Sequence, residues 1–294
     1  MPAAQFHDFY TRPGRFTSPG AHLDALLALP SSIPELFAAV QGLVVHEYLP
    51  WLYGIDREPG YTDTAHLRTV EDILDRLLAD GRALTEPRAP RERFGGCCRH
   101  FTILTVAALR AHGIPARARC GFAAYFSTPN FEDHWVVEYW SADQGRWLLG
   151  DPQIDSVQYA GLKSRLDFTD IPRDQFLVAG EAWKRCREGD DPNRYGFNGA
   201  GLYGESFIVG DLFRDTAALS NVEMLPWDFW SDMIRPGEPV GAELRDLLDR
   251  LADLTADPDT AADVRDLYEA DERLRVPERV FNLVRDREED LVSG

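Results

Sequence analysis

The sequence predicts an α+β fold, in which a buried helix is followed by the strands of an antiparallel sheet. Residues 96–112 are apolar nearly all round, which is typical of a helix that is buried on most of its sides. Three segments after this helix, 116–126, 134–140 and 145–151, have the pattern of strands and are separated by a loop and a short turn. Gly113 and Pro115 end the helix before the first of these strands.

The composition indicates an ordered globular protein with an acidic surface. The chain has 294 residues, enough to bury a sizeable core, and 44% of them are hydrophobic. It carries 31 basic and 49 acidic residues, a formal net charge of −18. A surface so acidic repels phosphate backbones and anionic lipids, so we expect neither nucleic acid nor a membrane as a partner.

The sequence also predicts a cytoplasmic protein with reduced thiols, of bacterial composition. No apolar run approaches the roughly 18 residues of a membrane-spanning helix, and residues 1–16 lack the layout of a secretory signal. The four cysteines are too few and too unevenly spaced for a disulfide framework. Arginine and alanine are plentiful while only two lysines occur, a bias typical of GC-rich genomes.

We expect four parts along the chain. They are residues 1–93 as a helical part packed on the core, 94–160 as the core, 161–240 as an aromatic and glycine-rich elaboration of the same domain, and 241–294 as an acidic helical part. In the first part, apolar spacing predicts helices at 21–29, 33–53 and 69–80, the last with a capping box at its start.

The C-terminal part is predicted to form three helices, at 242–254, 260–274 and 277–289. It holds 16 acidic and 8 basic residues. We expect a solvated appendage that packs through its Leu and Val stripe; an acidic arm that binds a partner is the alternative.

A cysteine at the start of the buried helix is the candidate nucleophile. A thiol attacks acyl groups only as the thiolate, which the unpaired N–H groups at a helix N-terminus favour. Cys97 and Cys98 both follow two glycines, which let a substrate approach, and a backbone N–H at this helix end is a natural oxyanion donor. Spacing alone favours neither cysteine. The expectation for Cys97, Cys120 and Cys186 is an inert buried thiol.

Three motifs follow one another in the segment 94–152. They are C-R-H-F with an apolar helix that ends before G-I-P-A-R, then H-W-V-V-E, then G-R-W followed by D-P. This order resembles the bacterial transglutaminase-like superfamily, although here the Trp follows the His directly. The resemblance implies a papain-like transglutaminase core with helical additions at both ends. It also implies a triad in which Cys98 is the nucleophile, His134 the general base and Asp151 the group that orients the imidazole.

The spacing of the last two strands makes this triad testable. If 134–140 and 145–151 form an antiparallel hairpin with a four-residue turn at 141–144, His134 lies directly opposite Asp151. Their side chains then share a face, about 5 Å apart at Cβ, whereas a shift of one residue would send them to opposite faces. Asp133, the alternative acid, points away from its neighbour His134 in a strand.

Other chemically interesting groups are predicted to be structural. His100 and His112 lie on the buried helix, and the glycine-rich run 196–204 lacks the Lys-Ser/Thr of a phosphate loop. The aromatic residues of 227–230 are expected in the core. No Cys/His pair has zinc spacing, so we expect no metal and no cofactor.

The predicted function is a cysteine enzyme that forms an acyl-thioester on Cys98 and passes the acyl group to an amine or to water, so that an amide bond forms or breaks. We expect a small-molecule or peptide acyl donor and an amine acceptor. Two alternatives stay open. The R-F-G-G-C run resembles the R-G-G-x-C of arylamine acetyltransferases, although G-I-P-A-R fits the transglutaminase-like group better. The other alternative is a catalytically silent binding module in which the triad survives as a scaffold.

Overall fold

The computed structural model describes residues 7–56, 63–126, 129–163 and 165–291, and it is an α+β protein as predicted. Its helices are α1 (Leu23–Leu27), α2 (Ile33–Gln41), α3 (Val70–Leu78), α4 (Cys98–Ala111), α5 (Ser156–Gly161), α6 (Ala179–Arg187), α7 (Glu205–Leu219), α8 (Ala242–Ala256) and α9 (Ala261–Ala270). Its strands are β1 (Val44–His46), β2 (Phe94–Gly96), β3 (Ala116–Ala123), β4 (Phe131–Ser141), β5 (Arg146–Gly150), β6 (Phe176–Val178), β7 (Tyr195–Phe197), β8 (Leu202–Tyr203), β9 (Asp228–Phe229), β10 (Arg279–Asn282) and β11 (Arg287–Asp290).

The chain divides into two compact units. The first consists of Met1–Ala118 and Trp135–Ile171, and the second of Arg119–His134 and Pro172–Gly294. The boundaries fall within strands β3 and β4, so each of these strands contributes residues to both units. The four-part division expected from the sequence stays a prediction.

The buried helix α4 is the core of the first unit. Its residues from Cys98 to Arg110 are all buried, and helices α1, α2 and α3 contact it. This burial on every side explains why its sequence lacks a polar stripe. The helix ends where predicted, because Gly113 adopts a φ of +74° that L-residues rarely take.

Thr69 caps α3 at its predicted start, whereas the helix predicted at 33–53 is too long. The N–H of Asp72 donates to Thr69 Oγ1 at 3.0 Å. Helix α2 ends at Gln41, and the chain continues as strand β1, which pairs in parallel with β2. The β-branched pair Val44 and Val45 favours a strand, and its partner lies about fifty residues away in the sequence.

The strands of the six-stranded sheet follow the order β6-β3-β4-β7-β8, with β5 paired to β4, and β4 and β7 are parallel. Helices α6, α7, α8 and α9 pack on one another. A Cβ on Gly180 of α6 would come within 2.2 Å of Thr255 Oγ1 of α8, so only glycine permits this close approach. No helix among the described residues is long and apolar enough to cross a membrane.

The third predicted C-terminal helix is wrong, because residues 279–290 form the antiparallel hairpin β10–β11. Along β10 the side chains alternate between exposed or half-buried and buried, as in a strand with one covered face. Asp286, with a φ of +49°, lies in the turn between the strands. Strand β10 also pairs with β9, where Phe281 lies opposite Phe229. This long-range pairing decides the structure of a charged segment whose local pattern favours a helix.

Candidate active site

Cys98 is the first residue of α4 and is buried, with 7% of its surface exposed. Strand β2 leads into it, and Thr64 fixes this approach by donating a hydrogen bond from Oγ1 to the Gly95 carbonyl at 2.7 Å. A Cβ on Gly96 would lie 2.9 Å from His100 Cβ, so a larger residue would push the strand off the helix. The N–H of Cys98 is among the first N–H groups of the helix, which have no partner within it and favour negative charge.

Cys97, the N-cap residue of α4, lies against His100, which is fully buried. Its Sγ is 3.3 Å from His100 Nδ1, and the same nitrogen accepts the Cys97 backbone N–H at 3.0 Å. The other ring nitrogen, Nε2, lies 3.0 Å from the Leu67 carbonyl oxygen, to which it donates. His100 therefore caps the helix, which agrees with its predicted structural role.

The electrostatic surroundings of Cys97 include a residue that sequence reasoning missed. Burial raises the pKa of the Cys97 thiol, but a hydrogen bond from Cys98 and the neighbouring His100 and His46 outweigh this and hold it well below its ordinary value. His46 ends strand β1 opposite Gly96. Because residues 33–53 were predicted to be one helix, nothing placed this histidine beside the cysteines; the Val-Val-His run was the available signal.

His134 lies in β4 and is buried, with 3% of its surface exposed. Three aromatic rings surround its imidazole edge to face: Phe126 at 5.0 Å between ring centroids, Tyr125 at 6.2 Å and Phe176 at 6.5 Å. Such packing restricts the rotation of the ring and excludes water from its faces. A general base needs a fixed ring of this kind.

Asp151 follows strand β5 and is fully buried. Its Oδ1 accepts the N–H of Gln153 at 2.9 Å, and its own N–H donates to the Phe168 carbonyl at 2.8 Å. The first bond orients the carboxylate, and the second holds the backbone of Asp151 in place. Cys98 and Asp151 belong to the first unit and His134 to the second, and their association into a triad stays a prediction.

The register predicted for the hairpin of β4 and β5 is wrong by two residues. Trp140 pairs with Trp147 and Ser141 with Arg146, so the four-residue loop is 142–145. The cause is Gly145, which has a φ of +62° and belongs to the loop rather than to the strand. Continued along the strands, this register sets Val136, not His134, across from the position of Asp151. A shift of two residues keeps the face of each strand, because side chains alternate with a period of two.

The remaining motif residues form a cluster in the first unit. Arg117, from G-I-P-A-R, donates from Nε to Oε2 of Glu138, from H-W-V-V-E, at 2.7 Å, and both side chains are fully buried. The guanidinium lies 4.1 Å from the ring centroid of Trp147 and 5.0 Å from that of Tyr10. Three motif positions therefore make one buried ion pair with a cation–π contact. Their role is to hold β3, β4 and β5 together.

A group that could bind a metal lies elsewhere, in the second unit. The ligand atoms of Cys120, Asp133 and Asp211 are all within 4.8 Å of one another. The sequence did not indicate this group, because its members come from two strands and a helix that are far apart in the chain.

Glu132 directly precedes Asp133 in the sequence, and we expect it to make the stability of the protein depend on pH. Burial raises the pKa of Glu132 to about 7, against the opposing hydrogen bond from the Asn198 N–H. The folded chain therefore holds this proton more strongly than the unfolded chain, and stability is lost as the pH rises from about 4.5 to about 7. We expect Glu132→Gln to stabilise the protein by about 1–2 kcal/mol at pH 8, since the side chain is partly open to solvent, and by much less at pH 5.

Urea unfolding at both pH values measures this effect. Glu288→Gln, on the exposed strand β11, is the matched control and should change stability little at either pH. A gain from Glu132→Gln that is equal at pH 5 and pH 8 would contradict the prediction, because the charge of Glu132 would then not be its cause.

Comparison with known proteins bears on the segment around α4. Residues 79–152 match the model of the Transglutaminase-like superfamily, in agreement with the α+β papain-like core predicted from the sequence. No curated protein matches the chain.

Two solved structures are similar to parts of the chain. One is a candidate cysteine protease from Cytophaga hutchinsonii, at 19% identity and a TM-score of 0.32, covering 62% of this chain and 52% of that one. The other is the periplasmic domain of TgpA from Pseudomonas aeruginosa, at 24% identity and a TM-score of 0.32, covering 54% and 49%. The chain thus spans about half the length of the structures it matches, and similarity at this level has no bearing on substrate.

Proposed function

We infer that this protein is a cysteine enzyme of the transglutaminase-like superfamily, to which its residues 79–152 belong, and we propose that it transfers acyl groups through a thioester on Cys98. The observation that carries the proposal is the position of Cys98, the first residue of a helix buried on every side within the matched segment. At this position backbone N–H groups favour the thiolate and face a developing oxyanion.

The proposed reaction has two steps with Cys98, His134 and Asp151 as the triad. His134 takes the proton of the Cys98 thiol, and the thiolate attacks the carbonyl carbon of an ester or amide. The C–S bond forms, the bond to the leaving group breaks, and His134 returns its proton to the leaving group. An amine or a water molecule then attacks the thioester, with His134 again as base, and frees Cys98. Asp151 orients the imidazole and stabilises its charged form.

Three observations support these roles. The His134 ring is fixed among aromatic side chains, and one oxygen of the Asp151 carboxylate accepts the N–H of Gln153. The two-residue displacement of the β4–β5 register is even, so it leaves the predicted face of each strand unchanged.

The proposal extends to the class of substrate and to the location of the protein. We propose a small-molecule or peptide acyl donor and an amine acceptor, with no nucleic acid or membrane as partner, since the net charge of −18 repels both. We also propose a cytoplasmic location; the four cysteines are all free thiols.

An activated ester tests the proposal without knowledge of the natural donor. The full-length protein is mixed with p-nitrophenyl acetate, and the reaction is quenched in acid. After digestion, the mass of the peptide that contains Cys98 is measured by mass spectrometry. We expect one acetyl group on Cys98 that disappears with time, and with glycine methyl ester present we expect N-acetylated product. Release of p-nitrophenol no faster than from heat-denatured protein, with no acetylated Cys98, would refute the proposal and favour a silent binding module.

A further inference from the structure

A second group of chemically active side chains lies in the second unit, outside the proposed triad. Cys120 comes from β3, Asp133 from β4 and Asp211 from α7, and one ligand atom of each lies within 4.8 Å of the others. Cys120 and Asp211 are fully buried. The backbone of this group is anchored, because the Cys120 N–H donates to Asp215 Oδ1 at 2.9 Å.

The carboxylate of Asp211 receives side-chain hydrogen bonds from Cys120 and Arg214, which leave one of its oxygens unsatisfied. Its Oδ1 accepts a hydrogen bond from Arg214 Nη1 at 3.1 Å. Its Oδ2 is buried and has no hydrogen-bond partner among the described residues. A buried carboxylate oxygen without a donor is costly, and such atoms are rare in folded proteins unless an ion or water completes the site.

The charges of the group point to a bound cation. Asp133 and Asp211 supply two carboxyl groups, Arg214 pairs with Asp211, and the guanidinium of Arg119 is already engaged by Asp215 at 2.9 Å. Either a proton or a metal ion satisfies such a site.

We propose that Cys120, Asp133 and Asp211 bind a zinc ion. Calcium and magnesium prefer sets of oxygen ligands only, whereas a thiolate selects zinc among the common divalent ions. With the thiolate, two carboxylates, Arg214 and Zn²⁺, the charges sum to zero. Zn–S and Zn–O bonds of about 2.3 and 2.1 Å put the ligand atoms roughly 3.3–3.7 Å apart, so atoms at the widest spacing of 4.8 Å would approach by roughly 1–1.5 Å. The thiol proton leaves to solvent on binding.

The position of the site indicates a structural role. Asp133 directly precedes His134 in β4, and neighbouring strand residues point to opposite faces. The ion therefore lies on the face of β4 away from the His134 side chain, where it joins α7 to β3 and β4. Because only the folded chain brings the three ligands together, zinc should stabilise the second unit. This inference does not depend on the proposed function.

Zinc binding by the full-length, chelator-treated protein tests the proposal. We expect one zinc per chain by titration calorimetry and a zinc-dependent rise in the thermal midpoint. Cobalt should bind in its place and give a thiolate-to-metal absorption band in the near ultraviolet. Cys120→Ser should lose this band, and Asp211→Asn should weaken zinc binding at least about tenfold. Cys186→Ser, which alters a half-exposed thiol away from the group, is the matched control and should keep the band and the stoichiometry.

Two results would overturn the proposal. One is the absence of stoichiometric zinc together with a thermal midpoint that zinc does not change. The other is a cobalt band that Cys120→Ser retains. If the protein bound no zinc and Asp211→Asn raised its thermal midpoint, the carboxyl groups of Asp133 and Asp211 would share a proton and not a metal ion. If Asp211→Asn fails to fold, the cobalt spectrum of Cys120→Ser decides alone.

Discussion

Cys98→Ala is expected to lower the rate of p-nitrophenol release from p-nitrophenyl acetate at least about a thousandfold, whereas Cys97→Ala should stay within about tenfold of the parent. The physical reason is that only the nucleophile forms the covalent bond. The oxyanion donors and the binding site, which survive in Cys98→Ala, account for the remaining rate. Initial rates at pH 7.5, with circular dichroism to verify folding, measure the difference between the two variants.

The comparison between the two variants is informative because Cys97 is the other candidate for the nucleophile. Its thiol lies 3.3 Å from an imidazole nitrogen, and its pKa is lowered by hydrogen bonding to Cys98 and by the neighbouring His100 and His46, against the opposing effect of burial. Both nitrogens of His100 are nevertheless engaged by backbone groups. A ring held in this way caps the helix and is poorly placed to move a proton between thiol and leaving group. Loss of activity in Cys97→Ala with retention in Cys98→Ala would move the nucleophile by one residue and contradict the assignment.

The elements that the sequence predicted correctly are those whose local pattern decides their structure. Helix α4 is apolar on every side, so it is stable only when it is buried on every side. Gly113 and Pro115, which follow it, determine where it ends. Helix α3 has a cap at Thr69 and a single apolar stripe. In both cases helix propensity, capping and hydrophobic periodicity agree. Each helix can therefore be predicted from its own stretch of sequence, without knowledge of distant contacts.

The errors arise where pairing between distant segments decides the structure. Strand β1 forms against β2, about fifty residues later, and β10 forms against β9, also about fifty residues away. Neither partner is visible in a local window. The predicted register of β4 and β5 is wrong for a local reason. Gly145 has a positive φ and belongs to the loop, whereas the prediction places it in the strand.

The candidate site shows the same division. Motif order indicated Cys98, His134 and Asp151, but not the surroundings of Cys97, because His46 enters through β1. Cys120, Asp133 and Asp211 carry no motif, since no two of them are spaced as ligands on one element. Sequence reasoning therefore recovers groups that share a stretch of chain and misses those assembled by the fold.

Glu138→Leu is expected to lower the free energy of unfolding by about 3–5 kcal/mol, because it leaves the guanidinium of Arg117 buried without its counter-charge. Both side chains are fully buried, and the pair is made at 2.7 Å. The contacts of Arg117 with the rings of Trp147 and Tyr10 stay in place, but a cation–π contact does not replace a lost carboxylate. Urea unfolding followed by tryptophan fluorescence measures the loss.

Two further variants separate charge from packing. Asp290→Leu breaks the Arg279–Asp290 pair, which has a 2.9 Å contact but is more than half exposed, and should lower stability far less than Glu138→Leu. The double variant Arg117→Met with Glu138→Leu removes both buried charges and keeps an apolar chain over Trp147, so it should recover most of the stability lost in Glu138→Leu. A double variant as unstable as the single one would show that the loss comes from disrupted packing between the strands, and the unpaired charge of Arg117 would then not be the cause.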